Sequence, residues 1–278
     1  TFARLQVVHN AADPAAALVD IYVNGGFLLE DFAFRAATPF IDVPANVELE
    51  VAVAPAGSES VEDAIATFPV TLETDGTYVV FANGVLDPAQ FAENPEGLDI
   101  AFTLMTKAGA RESAMAADMV DFFVFHGVTD APAIDVIARD VTTIVDGAAY
   151  GDITGYRSVP PAKYTLDITP AEDNETVVAT FVADLSGLAG GAAAVFASGF
   201  LTPDGQGEAF GLFAALPNGD VVAFPSPTAF DIVIDAEKDV WFETLMGMED
   251  GKVILPASAY NTNGEPADDA DLSAVLWA

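Results

Sequence analysis

The sequence predicts an all-β protein: two tandem β-sandwich domains followed by a strand-rich C-terminal extension. Three observations carry this. Apolar and polar residues alternate along short runs, as on strands with one buried face. Asn-Gly, Asp-Gly, Pro and Gly-Ser pairs punctuate those runs at roughly 8–12-residue intervals, the spacing of a sandwich. And the first 224 of the 278 residues carry one pattern twice.

Taken in order, "LQVVH" (Leu5–His9) and "VDIYV" (Val19–Val23) read as the first two strands. In "VELEVAV", Val47, Leu49, Val51 and Val53 share a face opposite Glu48 and Glu50. "SESVEDAIATF" and "DPAQFAENPE" have room for a helical turn or two. "FANGVLDP" (Phe81–Pro88) and a hairpin-like unit around Lys107–Gly109 complete the first copy. The second copy opens on "FFVFHGVTDAPAIDVIARD". It continues through "YTLDIT", with Tyr164, Leu166 and Ile168 inward and Thr165, Asp167 and Thr169 outward. It ends on "FASGFLTP" (Phe196–Pro203) and a tight turn at Asn218-Gly219. His126 follows His9 by 117 residues, and Asp130 follows Asp13 by the same interval. The two F-A-x-G-x-L-x-P runs are offset by 115. Small drifts in offset are loop insertions within one plan. The expected boundaries are residues 1–117, 118–224 and 225–278. In the last segment "FDIVID", "VWFETL" and "KVILP" read as strands, with Trp241 and Phe242 on opposite faces. "NTNGEPADDAD" reads as an acidic loop and "LSAVLWA" as an apolar strand.

Composition narrows the function classes. Hydrophobic residues make up 52% of the chain, enough for a packed core. Yet 43 Asp and Glu against 9 Lys and Arg give a formal charge of −34. Such a polyanion repels nucleic-acid phosphates and anionic membrane surfaces. Salt relieves its self-repulsion by shortening the Debye length to roughly 3 Å near 1 M, so a salt-adapted prokaryote is the expected source. Calcium binding is the competing explanation of the acidity. Its candidate ligands are Asp268, Asp269 and Asp271, with "TPDGQGE" (Thr202–Glu208) as a second cluster. Neither fits an EF-hand loop, so no cofactor is expected. The absence of cysteine excludes disulfides and thiol chemistry. "GLAGGAAAVFASGFL" is too short to span a bilayer, and its small residues suit a strand. A start at Thr1 suits a mature secreted product after signal-peptide removal. Asn174-Glu175-Thr176 is a glycosylation sequon on an expected exposed turn.

"VVHNAADPAAALVDIYVNGG" resembles the signature of a secreted bacterial family, domain of unknown function 4397, whose members typically read V-V-H-x-S-P-D-A-P-x-V-D-V-Y-V-D-G. "VFHGVTDAPAIDVIA" is a looser second match. The first copy keeps Val7, Val8, His9, Asp13, Pro14, Val19, Asp20 and Gly25. It carries Ala-Asp-Pro for Pro-Asp-Ala-Pro and three extra alanines. The second keeps Asp130-Ala131-Pro132 but loses the Asp-Gly turn. The resemblance implies an immunoglobulin-like sandwich on the cell exterior, often in tandem, and brings no catalytic residues.

The repeat-equivalent residues His9, Asp13, His126 and Asp130 are therefore expected to be structural. Each ring sits at a strand end, donating to a loop carbonyl or to the aspartate that follows. No G-x-S-x-G accompanies them, and two histidines in separate domains fall short of a three-ligand metal site. Paired carboxylates are too abundant to signal a hydrolase. The expected protein is non-enzymatic: an extracellular structural or surface subunit, self-assembling through β-strand edges. Its assembly strand would be Leu272, Ala274, Val275, Leu276 and Trp277, pairing with its own second domain or with a neighbouring molecule. The competing expectation is a monomeric binding module for a surface glycan or protein.

Overall fold

The computed structural model describes residues 1–203, 207–227, 231–234 and 252–255, and the chain divides into two units, Thr1–Ser226 and Pro227–Ala278. The first unit is all-β and consists of two tandem sandwiches. In copy one, β1 (Phe2–His9), β4 (Ile41–Pro44), β7 (Thr77–Asn83) and β8 (Thr103–Ala108) form a sheet in the order β4-β1-β7-β8. β2 (Leu18–Val23), β3 (Gly26–Ala33), β5 (Glu48–Pro55) and β6 (Ala66–Thr71) form its partner, β3-β2-β5-β6.

Copy two repeats this strand for strand. β9 (Val120–His126), β12 (Arg157–Val159), β15 (Ala192–Ser198) and β16 (Gly211–Ala215) lie in the order β12-β9-β15-β16, extended by β17 (Val221–Ala223). β10 (Ile134–Ala138), β11 (Thr142–Ala148), β13 (Lys163–Pro170) and β14 (Ala179–Asp184) lie as β11-β10-β13-β14. The central β1–β7 and β9–β15 pairs are parallel, with His9 opposite Ala82 and His126 opposite Ala197. The expected helical turns are two short 3-10 turns, Val61–Asp63 and Pro88–Gln90. In the second unit, β18 (Asp231–Ile234) and β19 (Lys252–Leu255) form a parallel pair.

The alternation in "VELEVAV" holds from Glu48 to Val51; Val47 precedes the strand and is exposed, and Ala52, on the face of Glu48 and Glu50, is buried against Tyr22. In "YTLDIT" only one face behaves as expected. Asp167 and Thr169 are buried as well, Asp167 because Arg139 bonds it through Nε (2.8 Å) and Nη2 (2.7 Å). A bidentate partner of this kind compensates much of the desolvation that would otherwise keep the carboxylate out. β16 and β17 form the expected hairpin, closed at Asn218-Gly219 by the Leu216 N–H and the Asp220 carbonyl (2.8 Å). Copy one departs from its expected hairpin. After β8 the chain turns at Gly109 and runs to copy two, where the Arg111 guanidinium bonds Asp121 (2.7 Å) and lies 4.3 Å from the Tyr156 ring centroid.

The sandwiches are not independent. The outer faces of sheets β4-β1-β7-β8 and β12-β9-β15-β16-β17 share an apolar cluster that includes Val8, Phe81, Phe123, Phe125 and Phe196. Phe81 stacks on Phe125 at 4.3 Å and meets Phe123 edge-on at 6.2 Å. Gln6, at the margin, donates to Thr38 of its own copy (2.9 Å) and Leu216 of the other (2.8 Å). The central strands β1, β7, β9 and β15 are thus covered on both faces. Such strands lose alternation and become continuous apolar runs, "YVVFA" and "FFVF" among them. This use of apolar surface between the copies accounts for part of the 52% hydrophobic content.

Candidate functional site

His9 ends β1 with no solvent exposure. A carbonyl oxygen only accepts, so Nε2 carries the proton, donating to Ala16 (2.7 Å), and Nδ1 accepts from the Ala11 N–H (3.4 Å). His126 repeats this on Pro132 (3.0 Å) and the Val128 N–H (3.4 Å). Burial disfavours the imidazolium and lowers the His9 pKa to about 4, against a smaller opposing pull from the Ala16 carbonyl. Burial lowers His126 as well, opposed by the Pro132 carbonyl and the charges of Asp152 and Glu96. Of the two expected partners, the rings take the loop carbonyls.

Asp13 and Asp130 have other work. Asp13 Oδ1 caps the 3-10 turn Pro14–Ala16 through the Ala15 N–H (2.9 Å), and Oδ2 accepts from the Leu86 N–H (2.8 Å). Asp130 accepts from the N–H groups of Leu201 and Thr202, both at 2.8 Å. Leu86 and Leu201 occupy the same place in the two F-A-x-G-x-L-x-P runs. In each copy, then, histidine fastens the loop leaving the first strand, and aspartate ties that loop to the one leaving the seventh. The glycine of each run turns this second loop. Gly84 (φ +96°) and Gly199 (φ +91°) have left-handed backbones. A Cβ there would lie 2.5 Å from the Ala101 carbonyl oxygen or 2.4 Å from that of Ala209.

A third repeated carboxylate was legible only as part of the motif. Asp20, buried in β2, accepts from the Asp31 N–H (2.9 Å), the Ser58 N–H (2.9 Å) and the Ser58 hydroxyl (2.7 Å). Asp135, buried in β10, accepts from the Gly147 N–H (2.6 Å). Both pin an irregularity of the neighbouring strand, where Asp31 and Gly147 have positive φ. Burial works against ionisation of Asp20, but its hydrogen-bond donors outweigh that and hold the pKa below the usual carboxylate value.

The half of copy two remote from His126 is open. A cavity of about 620 Å³ lies between its sheets, lined by apolar groups including Val120, Ala138, Ile144, Leu166, Ala183 and Ala193. Glu112, Thr142, Asp184, Ser186 and Asn218 also line it, as does Tyr164. Glu112 is paired with Arg4 (2.6 Å) and Asp184 with Lys163 (3.6 Å). Copy one is filled at the equivalent position. There Tyr78 packs with Ala3, Ala45 and Leu72, against Val70. The ladders make Tyr78, opposite Leu5, the counterpart of Ala193, opposite Phe122. They likewise make Val70, opposite Leu49, the counterpart of Ala183, opposite Tyr164. Phe122 and Tyr164 are larger than Leu5 and Leu49 but leave the space unfilled. Tyr164 turns its hydroxyl to the Pro160 carbonyl (2.8 Å).

Among the described residues no group of three or more His, Asp or Glu is placed to hold a metal, and no helix is long and apolar enough to cross a membrane. The candidate calcium ligands Asp268, Asp269 and Asp271 lie outside the described residues. So do the assembly-strand positions Leu272, Ala274, Val275, Leu276 and Trp277, the aromatic pair Trp241 and Phe242, and Asp204–Gln206 of the second acidic cluster. Asn174 lies on an exposed turn.

Fold and site together define a tandem β-sandwich protein whose repeated polar residues serve its loops and whose second sandwich holds an apolar cavity. The family model described as domain of unknown function (DUF4397) matches residues 3–97 and 121–208. The chain belongs to that family. Comparison with curated proteins returns no match.

Proposed function

We propose that this protein is a non-enzymatic structural subunit of the cell exterior in a salt-adapted prokaryote, and that it associates with copies of itself through strand edges. The observation that carries the reading is the cavity of about 620 Å³ in copy two. A cavity of that size, apolar and without a titratable group free of a partner, suits insertion of another apolar element rather than chemistry. The repeated histidines and aspartates support the same view, because their hydrogen-bonding atoms are already spent on backbone groups. High salt favours such burial twice over, by screening a charge of −34 and by strengthening apolar association.

Light scattering coupled to gel filtration, with negative-stain microscopy, tests this between 0.1 M and molar salt. The expected result is growth of oligomers or filaments with salt. A monomer at every salt concentration overturns it. The cavity also favours a second reading, a monomeric module with an apolar ligand; its lining is a poor match for a carbohydrate, which asks for many hydrogen-bond partners.

A further inference from the structure

The cavity in copy two is specific to that copy: the same strands at the same register close in copy one around Tyr78 and Val70 and stay apart in copy two around Ala193 and Ala183. Elsewhere the copies preserve their pattern down to the histidine, the aspartates and the loop glycine. Packed interiors leave few voids larger than a water molecule, so a sandwich missing this much of its filling is built to receive something. The chain itself contains a matching piece. "LSAVLWA" alternates Leu272, Ala274 and Leu276 with Ser273, Val275 and Trp277 and has no charged side chain, in a sequence of net charge −34. The acidic groups that line the cavity are already paired with Arg4 and Lys163, so an uncharged apolar segment is the occupant that this lining neither repels nor leaves with an unpaired charge. The segment belongs to the unit Pro227–Ala278 and the cavity to the unit Thr1–Ser226.

We infer that the apolar segment Leu272–Trp277 of a second copy of this chain fills the cavity between the sheets of copy two. This rests on the self-association reading above and names its contact. The interface is heterologous, since a segment of one molecule enters the body of the next. Such contacts propagate into rings or filaments, and an inserted apolar segment removes its side chains from water.

Two full-length variants test it. Ala193→Tyr restores copy one's filler and blocks the cavity but keeps the segment. Leu276→Asp keeps the cavity and spoils the segment. Thermal unfolding checks that each is folded, and the second variant leaves the body untouched should the first fail. Light scattering in molar salt should show each alone as a monomer. Their equimolar mixture should show particles of twice the monomer mass, because one intact segment and one open cavity remain between them. If wild type assembles and both variants still do, the cavity is not the contact, although self-association stands. If wild type is monomeric throughout, the reading beneath falls first. Variants that stay monomeric when mixed also overturn the inference, since an intact segment then fails to enter an open cavity. A co-purified lipid expelled by Ala193→Tyr without change in assembly assigns the cavity to a small ligand instead.

Discussion

His9 makes stability fall on mild acidification, by an amount the structure allows one to work out. Its folded pKa is about 4, against 6.5 for an ordinary histidine. Between these values the unfolded chain binds a proton that the folded chain refuses, so the His9 contribution to stability rises with pH through that window and is level on either side of it. From pH 7 to pH 5 the folded His9 stays neutral while the unfolded one charges, at a cost of about 2 kcal/mol. The full separation is worth about 3 kcal/mol near pH 4. His126, also lowered, adds to the loss in the same direction. A difference measurement isolates His9 from the many carboxylates. Urea unfolding in constant molar salt, at pH 7 and pH 5, is compared for wild type and His9→Gln. The variant is less stable at pH 7, having lost a fitted ring between Ala16 and Phe32, but its decline between the two pH values should be about 2 kcal/mol smaller. Equal declines refute the reasoning, as does a His9 imidazole resonance that titrates near 6.5.

Phe125→Ala removes the ring stacked on Phe81 at the join of the two copies. It should cost about 3–5 kcal/mol, read as a lower urea midpoint; a cost below about 1 kcal/mol shows the copies to be uncoupled. Gly199→Ala places a Cβ 2.4 Å from the Ala209 carbonyl oxygen at φ +91° and should destabilise by about 1–3 kcal/mol. Gly155→Ala, which meets nothing within 4 Å, should be near neutral in the same melt. The thermal midpoint should climb strongly from low to molar salt; a full gain from millimolar calcium alone would trace the acidity to metal sites.

Particular residues show where sequence reasoning sufficed. Period-two alternation, turn chemistry and the 117-residue recurrence of His9 and Asp13 determined an all-β chain of two like sandwiches, because strand pattern and turn conformation are local properties and duplication copies them together. The same locality placed the Asn218-Gly219 hairpin and the two short helical turns, and it anticipated the bonds from the histidine rings to loop carbonyls. Only the tertiary structure decided which surfaces meet. Nothing in "FFVF" says whether its second face lies against Phe81 or against water, since burial on both sides looks alike whatever supplies the cover. Nor does an alanine in a strand say whether it is tightly packed or borders a cavity. Ala193 lines open space because the residue across the sandwich, Ala183, is also small, and that coincidence of two distant positions exists only once the sheets are stacked.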